Sequence, residues 1–148
     1  MASVKKRREK LPEVVMPCYS CHKVLKGQKA LVTGGNSGIG EGIALALASA
    51  GADVMINYVA HQDLAEELAK KIREEKGVRS SIVHADVSDE GQVVAMFEKM
   101  KEEFGTIDIL INNAGLQRDA PLVEMTLEQW NKVIGVNLTG QFLCAREA

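Results

Sequence analysis

Aromatic side chains make up only 4% of the 148 residues, and proline and cysteine occur just three times each. An odd number of cysteines cannot close a disulfide framework, so the fold must rest on aliphatic burial, and a reducing, cytoplasmic setting is expected. No apolar run reaches the roughly 18 residues that a membrane span requires, and neither a secretory leader nor a membrane partner is expected. A strong excess of one charge is missing too, since the formal net charge is -2. The balance is uneven, however. Residues 1–28 carry seven Lys/Arg against two acids, and the remainder eleven against eighteen. An acidic body lacks the basic face that would neutralise several phosphates, which argues against a nucleic-acid partner. What is present is 46% hydrophobic and 26% charged residues at a mean hydropathy of -0.06, the composition of one ordinary globular domain.

Residues 1–24 read as a basic, disordered extension, in which Lys5, Lys6, Arg7, Arg8 and Lys10 are interrupted by Glu9 and Glu13. Cys18-Tyr19-Ser20-Cys21-His22 has the C-x-x-C-H spacing by which two thiols and an imidazole hold a c-type haem. Haem is attached after export, and no export leader is expected here. As a zinc site the same residues offer three ligands without the fourth that a closed structural site needs. No metal site is expected, and chance or a redox pair accounts for the match.

From Lys29 onward, short β-branched runs alternate with longer amphipathic stretches. Strands are predicted at Ala30–Thr33, Val54–Tyr58, Ser81–Ala85 and Ile107–Asn112. Helices fall between them: one after Gly38 with Ile43, Leu45 and Leu47, one from about Asp63 to Lys76, and one opened by Ser88 and closed before Gly105. In the second, Leu64, Leu68 and Ile72 repeat at i, i+4, i+8, predicting one buried face. A fourth helical stretch starts at Thr126, with Gln129 completing a capping box, and presents Trp130, Val133, Ile134 and Leu138. Strand–helix–strand repetition means parallel strands joined by right-handed crossovers. The expected fold class is α/β, a Rossmann-type doubly wound parallel sheet at residues 25–148, truncated after the fourth strand and its following helix.

Between the first strand and first helix lies Thr33-Gly34-Gly35-Asn36-Ser37-Gly38-Ile39-Gly40. Glycines at 34, 38 and 40 permit a tight turn, approach of backbone to a pyrophosphate, and close packing of helix on strand. The N–H groups at the helix start then face the anion. A Walker-type loop would need Gly-Lys-Ser/Thr at that helix start, where this sequence has Gly40-Glu41-Gly42, so kinase and ATPase chemistry is disfavoured.

These residues carry a resemblance to the short-chain dehydrogenase/reductase family, whose TGxxxGxG fingerprint Thr33 to Gly40 matches. Asp86 in Ala85-Asp86-Val87, then Asn112-Asn113-Ala114-Gly115, then Asn137 in Val136-Asn137-Leu138 appear in the family's order. The runs Asn112–Leu116 and Trp130–Ile134 are similar to glucose 1-dehydrogenases and 3-oxoacyl-carrier-protein reductases within that family. The resemblance implies an NAD(P)-dependent oxidoreductase that transfers hydride between nicotinamide and a small carbonyl or alcohol substrate, working as a homodimer or homotetramer. It implies cofactor binding by Gly34, Asn36, Ser37, Gly38, Ile39 and Gly40, by Asp86 and Val87 at the adenine, and by Asn113, Ala114 and Gly115 near the ribose and nicotinamide. Asn137 is the one family catalytic position matched, where it anchors a proton-relay water.

Cofactor choice turns on the residues just after the second strand, where a carboxylate would grip a ribose 2′-hydroxyl and a cation would favour a 2′-phosphate. Asp53 precedes that strand and should lie at the wrong edge of the sheet. The tip reads Asn57-Tyr58-Val59, with His61 the sole candidate cation. Asn57 and Tyr58 are expected at the cofactor, and NADP or dual use is favoured over NAD alone. The family's Ser and Tyr-x-x-x-Lys lie beyond the position of Asn137. A phenol with a pKa of about 10 needs that lysine to act as a base at neutral pH. Tyr58 is followed four residues on by Gln62, and Tyr19/Lys23 has the spacing without a strand to aim it. The 148-residue chain is therefore expected to be catalytically silent, as a fragment of an enzyme or, alternatively, as a non-catalytic dinucleotide-binding or interaction module.

Overall fold

The computed structural model describes residues 23–148. The basic cluster and Cys18, Cys21 and His22 fall outside the described residues, as does Tyr19. Four strands, β1 (Lys29–Val32), β2 (Asp53–Tyr58), β3 (Ser80–His84) and β4 (Ile109–Ile111), form one parallel sheet in the order β3-β2-β1-β4. The chain steps outward from β1 to β3 and then returns to β4 on the other side of β1. That reversal is the topological switch of a doubly wound sheet, and the crevice beyond the carboxyl ends of β1 and β4 is where such folds place ligands.

Helices α1 (Gly38–Ser49) and α2 (Gln62–Lys76) cover one face, and α3 (Glu90–Phe104) covers the other. The last helical segment is three pieces end to end: α4 (Leu127–Ile134), a π-helical turn (Gly135–Thr139) and α5 (Gly140–Glu147). Side chains alternate across the strands as the pleat requires. Ala30, Val32, Val54 and Ile56 meet α1 and α2, whereas Leu31, Met55 and Val83 meet α3 together with Val136, Leu143 and Cys144.

Several local expectations are corrected. In α1 the residues against the sheet are Gly40, Ala44 and Ala48, while Ile43, Leu45 and Leu47 are only partly buried. Small residues bring the helix axis close to the strands, and the larger ones fill the flanks. In α2 the buried stripe is Ala65, Leu68, Ala69 and Ile72, with Leu64 40% exposed. Helix α3 is capped by Asp89, whose side chain accepts from Gln92 N at 2.9 Å. The Ser88 hydroxyl points instead at Asp86, to which it donates at 2.6 Å. The capping box of Thr126 and Gln129 forms as expected, with bonds of 2.8 and 3.2 Å. Trp130 and Leu138 are 53% and 62% exposed, whereas Val136 is buried.

Candidate functional site

Thr33 ends β1 with its hydroxyl satisfied three ways. It donates to Ile111 O at 3.1 Å and accepts from the backbone N–H groups of Asn113 and Ala114, each at 3.0 Å. The Asn113 amide donates to Thr33 O and Gly34 O, at 2.9 and 3.0 Å. From the β2 side, Asn57 Oδ1 accepts from Gly34 N at 3.1 Å and its own carbonyl accepts from Gly35 N at 2.9 Å. The glycine loop is thus pinned from beneath by three side chains on three strands' ends, and its upper surface is left bare.

Two glycines explain why it can be bare. A Cβ on Gly40 would stand 2.3 Å from Gly34 O and 2.6 Å from Asn113 Nδ2, so only hydrogen fits where α1 meets the loop. Gly38, at φ +57°, has nothing within 4 Å of the Cβ position and opens directly on free space. Ser37, the N-cap of α1, is extended and makes no side-chain cap. The first-turn N–H groups of α1 are therefore not claimed by a cap, the arrangement that suits an anion.

Above the loop lies a cleft of about 490 Å³. The glycine loop contributes Gly34, Asn36, Ser37, Ile39 and Gly40, the segment after β2 contributes Val59, Ala60 and His61, and Asp86 and Val87 come after β3. Asn113 to Leu116 form the wall beyond β4, and Lys132 and Val136 close the far side. A larger hollow of about 960 Å³ on α4 shares Lys132 and includes Arg118. It is an open surface trough that receives nothing from the strand ends, so the smaller cleft is the candidate site.

Asp86 is the one carboxylate in the cleft. Burial works to raise its pKa but is outweighed by the Ser88 hydroxyl and backbone N–H and by Lys132, whose Nζ lies 3.2 Å from Oδ2, so the group is held below 3.8 and stays ionised. Behind the wall, Asn137 sits in the π turn and grips the backbone of Leu116 twice. Its Oδ1 accepts from Leu116 N at 2.9 Å and its Nδ2 donates to Leu116 O at 3.0 Å.

Of the residues singled out from sequence, Gly34, Asn36, Ser37, Ile39, Gly40, Asp86, Val87, Asn113, Ala114 and Gly115 all border the cleft, whereas Gly38, between Ser37 and Ile39, is not part of its lining. Asn57 and Tyr58 do not. They end a strand paired on both sides and are 1% and 6% exposed; Asn57 spends its amide on Val83 O and Ala85 O, and Tyr58 packs edge-on against His84. Their places are taken by Val59, Ala60 and His61. Asn137 acts from behind the wall through Leu116. Asp53 lies at the opposite end of β2, bound to Arg79 at 2.8 Å. Lys132 and Val136 were not foreseen, because no sequence spacing announces that α4 folds back over the β3 end. Among the described residues no group of three or more His, Cys, Asp or Glu is gathered as a metal would need.

A family model described as short chain dehydrogenase matches residues 28–148. The chain belongs to the short-chain dehydrogenase family. A 3-oxoacyl-(acyl-carrier-protein) reductase FabG of Staphylococcus aureus is 42% identical over 121 residues, which cover 82% of this chain and 49% of that protein. A short-chain dehydrogenase/reductase double mutant from Serratia marcescens superposes with a TM-score of 0.81 at 34% identity, over 84% of this chain and 51% of that one. A putative short-chain alcohol dehydrogenase from Sinorhizobium meliloti gives 0.80 at 35% identity, over 86% and 50%. This short-chain dehydrogenase sequence thus spans about half the length of the curated relatives it matches.

Proposed function

We propose that residues 25–148 form the NAD(P)-binding part of an oxidoreductase acting on a small carbonyl or alcohol substrate. The observation that carries this reading is the braced glycine loop, with α1 uncapped at Ser37 and bare space over Gly38. A diphosphate fits such a cradle: its charge meets unclaimed N–H groups and the positive end of a twelve-residue helix. The cofactor, when bound, supplies the hydride-transfer chemistry. This chain's residues bind and orient it. Ser37 to Gly40 would hold the diphosphate, and Asp86, ionised and facing the cleft, would accept from a base amino group. Ala114 and Gly115 keep the wall low, and Asn137 fixes that wall through Leu116.

Similarity to the oxoacyl reductase favours a 3-oxoacyl thioester as substrate class, and the runs Asn112–Leu116 and Trp130–Ile134 keep a glucose 1-dehydrogenase-like sugar substrate beside it. A cytoplasmic homodimer or homotetramer belongs to the same proposal. No helix among the described residues is long and apolar enough to cross a membrane. Titration of the 148-residue chain with NADP⁺ and NAD⁺ by calorimetry tests the reading. One saturable site is expected, and heat indistinguishable from buffer for both nucleotides would refute it.

A second reading, a dinucleotide-binding module without turnover, is favoured by the position of Tyr58. Among the described residues lining the cleft there is no tyrosine, and Tyr58 is buried away from it. Under either reading the 148-residue chain binds without reducing 3-oxoacyl thioesters or oxidising glucose. Steady NAD(P)H turnover by the pure chain would overturn that statement.

A further inference from the structure

Far from the cleft, β3 ends the sheet with its outer side unpaired among the described residues. In a parallel pair, alternate residues of a strand bond to the neighbour. Arg79 O accepts from Val54 N at 3.0 Å and Ala85 N donates to Tyr58 O at 3.1 Å. The backbone groups of Arg79, Ser81, Val83 and Ala85 therefore face β2, and those of Ser80, Ile82 and His84 face outward. Ser80 O is met by Arg73 Nη1 at 2.7 Å, whereas Ile82 and His84 have no strand beside them. A crevice of about 280 Å³ follows this edge, lined by Ser80, Ser81 and Ile82, by Glu66 and Arg73 of α2, and by Lys99 of α3. Ser80 is only 8% exposed, and its hydroxyl and that of Ser81 are buried without a hydrogen-bond partner among the described residues. Buried polar atoms are nearly always paired, and natural sheets cover or blunt their edges. This edge is shaped for a cover that the described residues do not supply.

We propose that the cover is this chain's own Glu13-Val14-Val15-Met16, laid along β3 as an antiparallel fifth strand. Lys23, the first described residue, stands at the amino end of β3. Its Nζ donates to Lys76 O at 3.0 Å, and it shares a hollow with Arg73, Val78 and Arg79; Arg73 also lines the edge crevice. Ser80 follows Lys76 by four residues, a span of at most about 14 Å, whereas residues 17–22 can extend to about 20 Å. The link is long enough, and a chain that runs down the edge toward Lys23 is antiparallel to β3. The residue types fit as well. The β-branched Val14 and Val15 suit a strand. Pro12 and Pro17 bracket the four residues at strand ends, where proline is tolerated, and Pro17 biases Met16 toward extended backbone. Beyond Glu13 the chain carries Lys10, Arg8, Arg7, Lys6 and Lys5 toward the first turns of α2, where Asp63, Glu66 and Glu67 are exposed. The basic extension thus meets the acidic body, charge against opposite charge.

The test is amide hydrogen exchange of the 148-residue chain, resolved by NMR, for wild type, Val14→Pro and Val15→Pro. In wild type the N–H groups of Ile82 and His84 are expected to be protected. Proline cannot donate, and alternate N–H groups of an added strand face β3. One of the two substitutions should therefore speed exchange at Ile82 and His84 about tenfold, the effect of one or two hydrogen bonds, while the other, with its N–H site facing solvent, changes it little. Exchange at Met55 and Ile56 inside the sheet should hold in both variants, which shows the body intact. Nuclear Overhauser contacts between residues 13–16 and 80–84 should be present in wild type and lost in the sensitive variant. Fast exchange at Ile82 and His84 in wild type would overturn the inference, as would protection indifferent to both prolines. Protection that disappears on dilution would give the edge to a second copy of the chain and overturn it likewise.

Discussion

Replacing Gly40 by alanine puts a methyl group where the structure has no room, whereas the same change at Gly42, two residues along α1, places it in open space. At Gly40 the new carbon would meet Gly34 O at 2.3 Å, Asn113 Nδ2 at 2.6 Å and Gly35 Cα at 2.9 Å. Two of the three are backbone atoms of a loop fixed by Thr33, Asn57 and Asn113, so neither can yield without breaking those bonds. Alanine gains about 1 kcal/mol of helix propensity over glycine. Overpacking of a tight site costs about 1–3 kcal/mol, and a rigid backbone neighbour puts this case at the upper end. The net is a loss of about 2 kcal/mol, or a Tm lower by roughly 5–10 °C for a domain of this size. At Gly42 nothing lies within 4 Å, so the propensity gain stands alone and Tm should rise by a few degrees. Urea and thermal melts of Gly40→Ala and Gly42→Ala, followed by circular dichroism, give the answer. Opposite signs are required; equal or inverted shifts would show that the loop and α1 are not in contact as described.

Neighbouring groups set other outcomes. Asn57→Leu strands Gly34 N, Val83 O and Ala85 O without partners and should cost at least about 2 kcal/mol, read as a lower urea midpoint. Asn137→Ala releases both backbone groups of Leu116, so amide exchange at Leu116 should quicken while exchange in β2 holds. The Asp86 carboxyl is lowered in the folded chain, so its stabilisation is present above the ordinary value of 3.8 and lost as pH falls below it. Asp86→Asn should therefore flatten the acid limb of a stability-against-pH curve. Burial raises the Cys144 thiol to about 11, so peptide mapping should find Cys144 unmodified by iodoacetamide at pH 8 and alkylated once urea unfolds the chain.

The order and type of elements could be read from periodicity, because a parallel sheet buries both faces and leaves β-branched runs that hardly alternate. Strand ends shifted by one or two residues. Ile107 and Asp108 look strand-like, yet β4 begins at Ile109, and the Asp108 carboxylate instead takes the backbone N–H of Lys29 at 2.8 Å. Helix α1 meets the sheet through its glycine and alanines, a contact that hydrophobic periodicity does not announce, since a helix pressed onto a sheet is defined by what is small. At the site, the glycine loop was legible because its residues are contiguous. Asn57 misled because polar residues at a strand tip suggest ligand contact, whereas this one satisfies backbone groups of two neighbouring chain segments. Lys132 was invisible, 46 positions from its partner Asp86 along the chain.

The brace under the glycine loop also sets an order of assembly on a growing polypeptide. β1 can pair with β2 once 58 residues have been made, but Thr33 waits for Ile111, Asn113 and Ala114, some 80 positions later. Until those emerge from the ribosome, the turn is held only from the Asn57 side, lacks the Thr33 and Asn113 bonds, and cannot take its final shape. The cradle is then a late product of synthesis, and a nascent chain halted before residue 114 would carry the glycines without the ability to seat an anion on them.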